Sequence, residues 1–188
     1  MSSDITVRCD EGFINIRVGA IIMKDGKFLM AGNDAVDYLY TVGGRIQFGE
    51  SAEEAVVREV LEETGVKMEI DRLGFIHENF FYGDSSHNMG RLVYEISFIF
   101  YMKVPEDFHP VSQSRPGDSH QEPLYWISAG SDTEHDTSDT SDTSDTLDTL
   151  DSLEKITIYP GFLRTELMNP VDGVRHLVTR DGKTTLAK

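Results

Sequence analysis

Glu59, Glu62 and Glu63 crowd into the stretch REVLEETGV, Arg58 to Val66, with Glu54 one turn upstream. Like charges three or four residues apart on a helix repel by roughly 0.2–0.5 kcal/mol per pair. A helix that keeps such crowding either presents a solvated acidic face or has a cation to offset it. Hard divalent cations such as Mg²⁺ and Mn²⁺ take oxygen ligands and favour carboxylates together with a substrate phosphate.

The elements that must position these carboxylates are well marked. Ser51 and Glu54 form an S-x-x-E capping box, and Gly65 stands where a C-terminal cap glycine belongs, so the spacing predicts a helix from about Ser51 to Thr64. At about 100° per residue, Val56, Val57, Val60, Leu61 and Thr64 fall on one side, which predicts the core face. Glu59, Glu62 and Glu63 share another sector with Ala52 and Ala55, and such small neighbours leave room for a docked group. Arg58 precedes Glu62 by four residues and is placed to hold its carboxylate. An extended segment carrying Gly43, Gly44 and Gly49 leads into the helix.

The stretch GRIQFGESAEEAVVREVLEETGV, Gly44 to Val66, resembles the Nudix box. Gly44, Glu50, Arg58, Glu59, Val60, Glu62, Glu63, Gly65 and Val66 fill every defined position of that pattern at its fixed spacing. One departure is Val42, where many members carry Pro before the Gly-Gly pair. The resemblance implies an α/β fold, a Nudix-type α/β/α sandwich with a mixed β-sheet. It also implies a MutT-like hydrolase that cleaves the diphosphate of a nucleoside diphosphate linked to another moiety, a pyrophosphatase using magnesium or manganese. By similarity Glu59, Glu62 and Glu63 hold the metal, Glu50 assists, the carbonyl near Gly43 contributes, and Arg58 orients the glutamates. Metal-assisted attack of water suits this donor set, because phosphate oxygens need neutralising and the water needs positioning. The base often lies outside the box in this family. Glu122, in HQEPLYW, is the preferred outside carboxylate, with Glu78 second. An exposed loop glutamate is the plainer reading of each.

Substrate contacts are less clearly written. Arg17 and Arg45 are candidates for phosphate, as are Arg91 and His87; Phe80 and Tyr40 are candidates for stacking on a base, with Tyr38, Phe81 and Tyr82 behind them. Against these stand surface solvation for the cations and core packing for aromatics at strand spacing. His77 and His176 fall in strands and read as structural. No His-x-x-His arrangement suggests zinc, and the lone Cys9 lacks a nucleophile signature.

Around the box the chain alternates strands and loops. FINIRVGAIIMKDGKFLMA predicts a hairpin about Asp25-Gly26, and KMEIDRLGFIHENFFYG and GRLVYEISFIFYMKV predict two long strands. LYWIS is a short strand, GFLRTELM a short helix, and VRHLVTRDGK a last strand with a polar turn. The 188 residues suit one domain with a real core. That domain is interrupted at about 131–152 by an Asp/Thr/Ser repeat, which is too polar to offset its ordering entropy. The repeat lacks the glycine and terminal glutamate of a calcium loop.

Acidic residues number 33 against 17 basic ones, a net charge of −16, and part of the excess lies in that repeat. A nucleic acid polymer is an unfavourable partner, since tight binding needs Lys and Arg at many phosphates. A small nucleotide-type substrate is compatible. No apolar run is long enough to span a bilayer, no signal peptide is visible, and one cysteine forms no disulfide framework, which together read as cytoplasmic. The resemblance implies a homodimer as the alternative to a monomer. Two other functions compete: a catalytically inactive, nucleotide-binding regulatory module of the same fold, and an isomerase of isoprenoid diphosphates. The intact box weighs against the first, and the position of Cys9 against the second.

Overall fold

The computed structural model describes residues 3–33, 37–83, 88–110, 123–128 and 157–187. The Asp/Thr/Ser repeat at 131–152 lies outside the described residues.

Strand β1 (Thr6–Arg8) pairs antiparallel with β2 (Gly12–Ile21). The hairpin predicted about Asp25-Gly26 forms between β3 (Met23–Lys24) and β4 (Lys27–Ala31). Both turn residues have positive φ, 51° and 72°, which matches the twist of the flanking strands. Strand β5 (Tyr38–Thr41) precedes helix α1 (Ala52–Thr64). The long strands β6 (Glu69–Tyr82) and β7 (Leu92–Lys103) pair antiparallel, and β8 (Leu124–Ser128) carries Trp126. After β9 (Thr157–Tyr159) come the short helix α2 (Leu163–Glu166), β10 (Arg175–Arg180) and β11 (Lys183–Leu186).

Two mixed sheets result. One runs β1-β2-β7-β6-β10-β11, with β2–β7 and β6–β10 parallel. The other runs β3-β4-β5-β9, with β8 on β4 and the β5–β9 pair parallel. The sequence suggested one mixed sheet. The division falls at Ile22: Gly12–Ile21 is taken up by β7 over its whole length, while the Ile22 carbonyl accepts from Leu29 and carries the hairpin into the second sheet.

The apolar faces close into two clusters. Val18, Ala20, Val56, Val60 and Phe100 pack beneath α1. Phe28, Met30, Phe75, Ile99 and Leu163 pack where the sheets meet α2. The buried stripe of α1 differs from the one the helical period predicted. Ala55, Val56, Glu59, Val60, Glu63 and Thr64 are buried, whereas Leu61 is 43% exposed. The helix is thus rolled so that two carboxylates face inward and a leucine faces out. The terminal polar turn also goes further than expected, because Asp181-Gly182 repeats the Asp-Gly geometry and adds β11 to the sheet.

Candidate active site

Helix α1 begins as its sequence requires. The Ser51 hydroxyl accepts from the Glu54 amide at 3.2 Å, and the Glu54 carboxylate accepts from the Ser51 amide at 2.8 Å. Glu54 is therefore committed to the cap, and the remaining glutamates gather around Arg58.

Arg58 is the hub of the site. Its Nε and Nη2 donate to the two oxygens of Glu50, at 2.7 and 2.9 Å, a bidentate pairing. Its Nη1 donates to Glu59 at 2.6 Å and to Glu62 at 3.2 Å, and Nη2 also reaches the Arg45 carbonyl at 3.2 Å. Bonding to Arg58, helped by the Gln47 amide, holds the Glu50 carboxyl below its ordinary range against the opposing effect of burial. In return, Glu50 above all raises the pKa of Arg58 further, so the guanidinium stays charged.

Glu59 and Glu63 project into the Gly43–Gly44 segment. A Cβ at Gly44 would stand 2.6 Å from the Glu59 carboxyl carbon, so any side chain there would displace that carboxylate from its present position. At Gly43, φ is 145° and a Cβ would stand 2.9 Å from the Gly19 Cα, so the backbone there excludes any side chain. The freed Gly43 amide donates to Glu63 Oε1 at 3.1 Å. Val42, in the position where a proline was the alternative, is fully buried beneath α1.

The donor set fits a hard divalent cation. Two carboxylates four residues apart, 6% and 9% exposed, face a backbone stripped of side chains. Among the described residues no three His, Cys, Asp or Glu side chains converge on one point, and Glu62 is turned to Arg58. Here Arg58 supplies the positive charge that the glutamates require.

Gly43 and Glu63 also edge a cleft of about 770 Å³ between the two sheets. Of the residues singled out for substrate, Arg17, Tyr40 and Phe80 line it, as do Tyr38, Phe81 and Tyr82. Arg17 lies 3.7 Å from Glu95, and the Tyr40 hydroxyl accepts from Asn33 at 3.1 Å. Arg45 is not among the lining residues; its guanidinium lies 3.9 Å from Asp4. The Phe80 ring is stacked on Tyr94 at 4.4 Å, with Arg180 3.8 Å from its centroid. Tyr94 and Arg180 come from the strands on either side of β6, and Tyr94 also bonds Glu78, so this stack lies on the face of the sheet away from His77 and Asn79 and the Phe80 ring is not offered to a base in the cleft.

Glu122 and His87 lie outside the described residues. Glu78 alternates with the cleft-lining His77 and Asn79 on β6 and is engaged on the other face of the sheet. It accepts from the Tyr94 hydroxyl at 2.6 Å and meets His176 at 2.7 Å, bonds that keep its pKa below the ordinary carboxylate value. His77 is buried but lines the cleft, 2.8 Å from the Thr179 hydroxyl, and burial lowers its pKa to about 4.

The sequence reading passed over Glu95, Ser97, Thr179 and Tyr159, all of which line the cleft. A signal for the first two existed. They are the polar residues at alternate positions of an otherwise apolar strand, so they mark one face of β7. Nothing local marks Thr179 or Tyr159, which arrive through long-range pairing with β6 and β5.

A model of the NUDIX domain matches residues 14–137. Similar solved structures include a MutT NUDIX hydrolase from Burkholderia pseudomallei, 20% identical, covering 62% of this chain and 84% of that one at a TM-score of 0.48. Another is an ADP-ribose pyrophosphatase from Streptococcus suis 89-1591, 17% identical, covering 88% of this chain and 98% of that one at a TM-score of 0.49. A UDP-X diphosphatase is 20% identical over 61% of this chain, at a TM-score of 0.44, and the chain spans 51% of its length. No curated protein matches the chain.

Proposed function

The chain belongs to the Nudix family, and from that premise we propose that it is a divalent-metal-dependent pyrophosphohydrolase acting on a nucleoside diphosphate linked to another moiety. The observation that supports this most is the pair of buried glutamates, Glu59 and Glu63, set against Gly43–Gly44 at the edge of a nucleotide-sized cleft. Glu59 and Glu63 would hold Mg²⁺ or Mn²⁺, with Glu62, Glu50 and the Gly43 carbonyl as further donors. A cation bound there supplies charge neutralisation at the diphosphate oxygens and a more acidic water.

The chain's own residues do the rest. Arg58 fixes the rotamers of Glu50, Glu59 and Glu62 through charge-assisted bonds, so the acidic face is organised before a substrate arrives. The Gly43 amide fixes Glu63 in the same way. The cleft walls orient the group attached to the diphosphate, with Arg17 and Tyr40 as contacts. Glu122 is our candidate for the carboxylate that takes the proton from the attacking water. Near-wild-type kcat in Glu122→Gln would remove it from that role. We also propose a single catalytic domain acting in the cytoplasm on small nucleotide-type substrates.

The test is a metal-dependent hydrolysis screen over nucleoside triphosphates, dinucleotides, nucleotide sugars and ADP-ribose. Release of product that requires Mg²⁺ or Mn²⁺ and is lost in Glu62→Gln/Glu63→Gln supports the reading. No turnover on any of them overturns it, and ligand-induced stabilisation without turnover would identify a binding module instead.

A further inference from the structure

The cleft has two walls of different chemistry. One, on the first sheet, carries neutral hydrogen-bonding groups: His77, Asn79, Ser97, Thr179 and Thr184. His77 meets Thr179 at 2.8 Å, and Thr179 meets Thr184 at 2.8 Å, a continuous chain of uncharged donors and acceptors. The other wall, on the second sheet, is aromatic. Tyr38 and Tyr159 meet edge to face at 4.9 Å, with Tyr40 beside Tyr38. Tyr159, Thr179 and Thr184 all lie beyond residue 137, outside the segment that the family model matches.

Charge is distributed unevenly. Arg17 is the one Lys or Arg among the described residues lining the cleft, against the carboxylates of Glu63 and Glu95, and it sits 3.7 Å from Glu95. His77 adds no positive charge at neutral pH, because burial keeps it neutral down to about pH 4. Arg180 follows Thr179 on β10 and so points to the opposite face, over Phe80. An anionic diphosphate therefore has its place at the Gly43–Glu63 end, beside the proposed cation. The end bounded by His77, Thr179 and Thr184 offers hydroxyls and an aromatic face, and among the described residues no Lys or Arg lines it to partner a second anion.

Resting on the pyrophosphohydrolase reading, we propose that this end of the cleft is a subsite for the uncharged nucleoside of the substrate. Thr179 and Thr184 are its specificity-determining residues, and they act against rings that carry an additional phosphate. A hydroxylated ring can exchange hydrogen bonds with the threonine chain and pack on the tyrosines. A phosphate on that ring would be desolvated without a counter-charge and would face an acidic surround.

The test compares AMP with adenosine 2′,5′-bisphosphate, two probes that differ by one ring phosphate and need no turnover. Thermal shift or calorimetry in the presence of Mg²⁺ should show AMP binding at least about tenfold more tightly. Thr184→Lys, at an exposed strand position, should narrow or reverse that ratio. Thr179→Val should weaken AMP while changing the bisphosphate-to-AMP ratio less than Thr184→Lys does. Equal or tighter binding of the bisphosphate to the wild type overturns the subsite, as does an unchanged ratio in Thr184→Lys or failure of both probes to bind. The hydrolysis screen reads separately: turnover without discrimination between plain and phosphorylated rings rejects the subsite alone, whereas absence of turnover rejects the enzymatic reading.

Discussion

The Glu59 carboxylate occupies the space where a side chain at residue 44 would stand: a Cβ on Gly44 would lie 2.6 Å from its carboxyl carbon. Two residues fifteen positions apart are thereby locked together, one by lacking a side chain and the other by burying a charge. Gly44→Ala should push Glu59 off Arg58 and out of its niche. Overpacking of this kind costs about 1–3 kcal/mol. We expect a lowered Tm and a drop in kcat larger than any change in KM. A variant with wild-type kcat would show that this contact has no part in activity.

Arg58 forms ion pairs with three glutamates, Glu50, Glu59 and Glu62, and only 23% of its side chain is exposed. Arg58→Ala leaves Glu50 and Glu59 without their partner, at a cost of about 2–3 kcal/mol given the partial burial. Chemical denaturation should read this as a lower midpoint. Added Mg²⁺ should recover part of the loss, because a cation can replace the missing charge. A variant as stable as the wild type would mean that the glutamates repel too weakly to need either.

If Glu59 and Glu63 hold the cation, Mg²⁺ should raise the Tm of the wild type through preferential binding to the folded state. The double variant Glu59→Gln/Glu63→Gln should respond much less. Differential scanning fluorimetry over a Mg²⁺ series measures both directly. Equal responses in the two proteins would assign the metal to other residues.

His77 ties stability to pH. The unfolded chain takes up a proton at this side chain near the ordinary histidine value of about 6.5, but the folded chain only at about 4. Between these values the unfolded state binds more protons, so stability falls as pH drops through the window. The loss approaches about 3 kcal/mol once both states are protonated. His77→Gln keeps a hydrogen-bonding group toward Thr179 and removes the titration. Its stability should fall less steeply between about pH 6 and 4, by up to about one proton's worth of slope. Parallel curves for the two proteins would place the acid sensitivity in the carboxylates alone, Glu50 and Glu78 among them.

Much of the site's machinery was legible in the chain because its causes are local. The Ser51–Glu54 capping box, the stop at Gly65 and the Asp25-Gly26 turn each depend on residues within a few positions of one another, and each forms as read. The spacing of Arg58, Glu59, Glu62 and Glu63 likewise determines which carboxylates a single guanidinium can reach. Tertiary structure decided what depends on neighbours from elsewhere. It rolled α1 so that Glu59 and Glu63 are buried while Leu61 is exposed, because the Gly43–Gly44 segment, lacking side chains, gives the carboxylates a place that the helical period alone does not reveal. It divided one expected sheet into two by pairing Gly12–Ile21 with β7, which opened the cleft between them. It also brought Thr179 beside His77 from more than a hundred residues away. Helix caps and turns follow from short-range geometry written in adjacent residues. The walls of a cleft depend on which strands pair across the whole chain, and a residue's type carries little record of that.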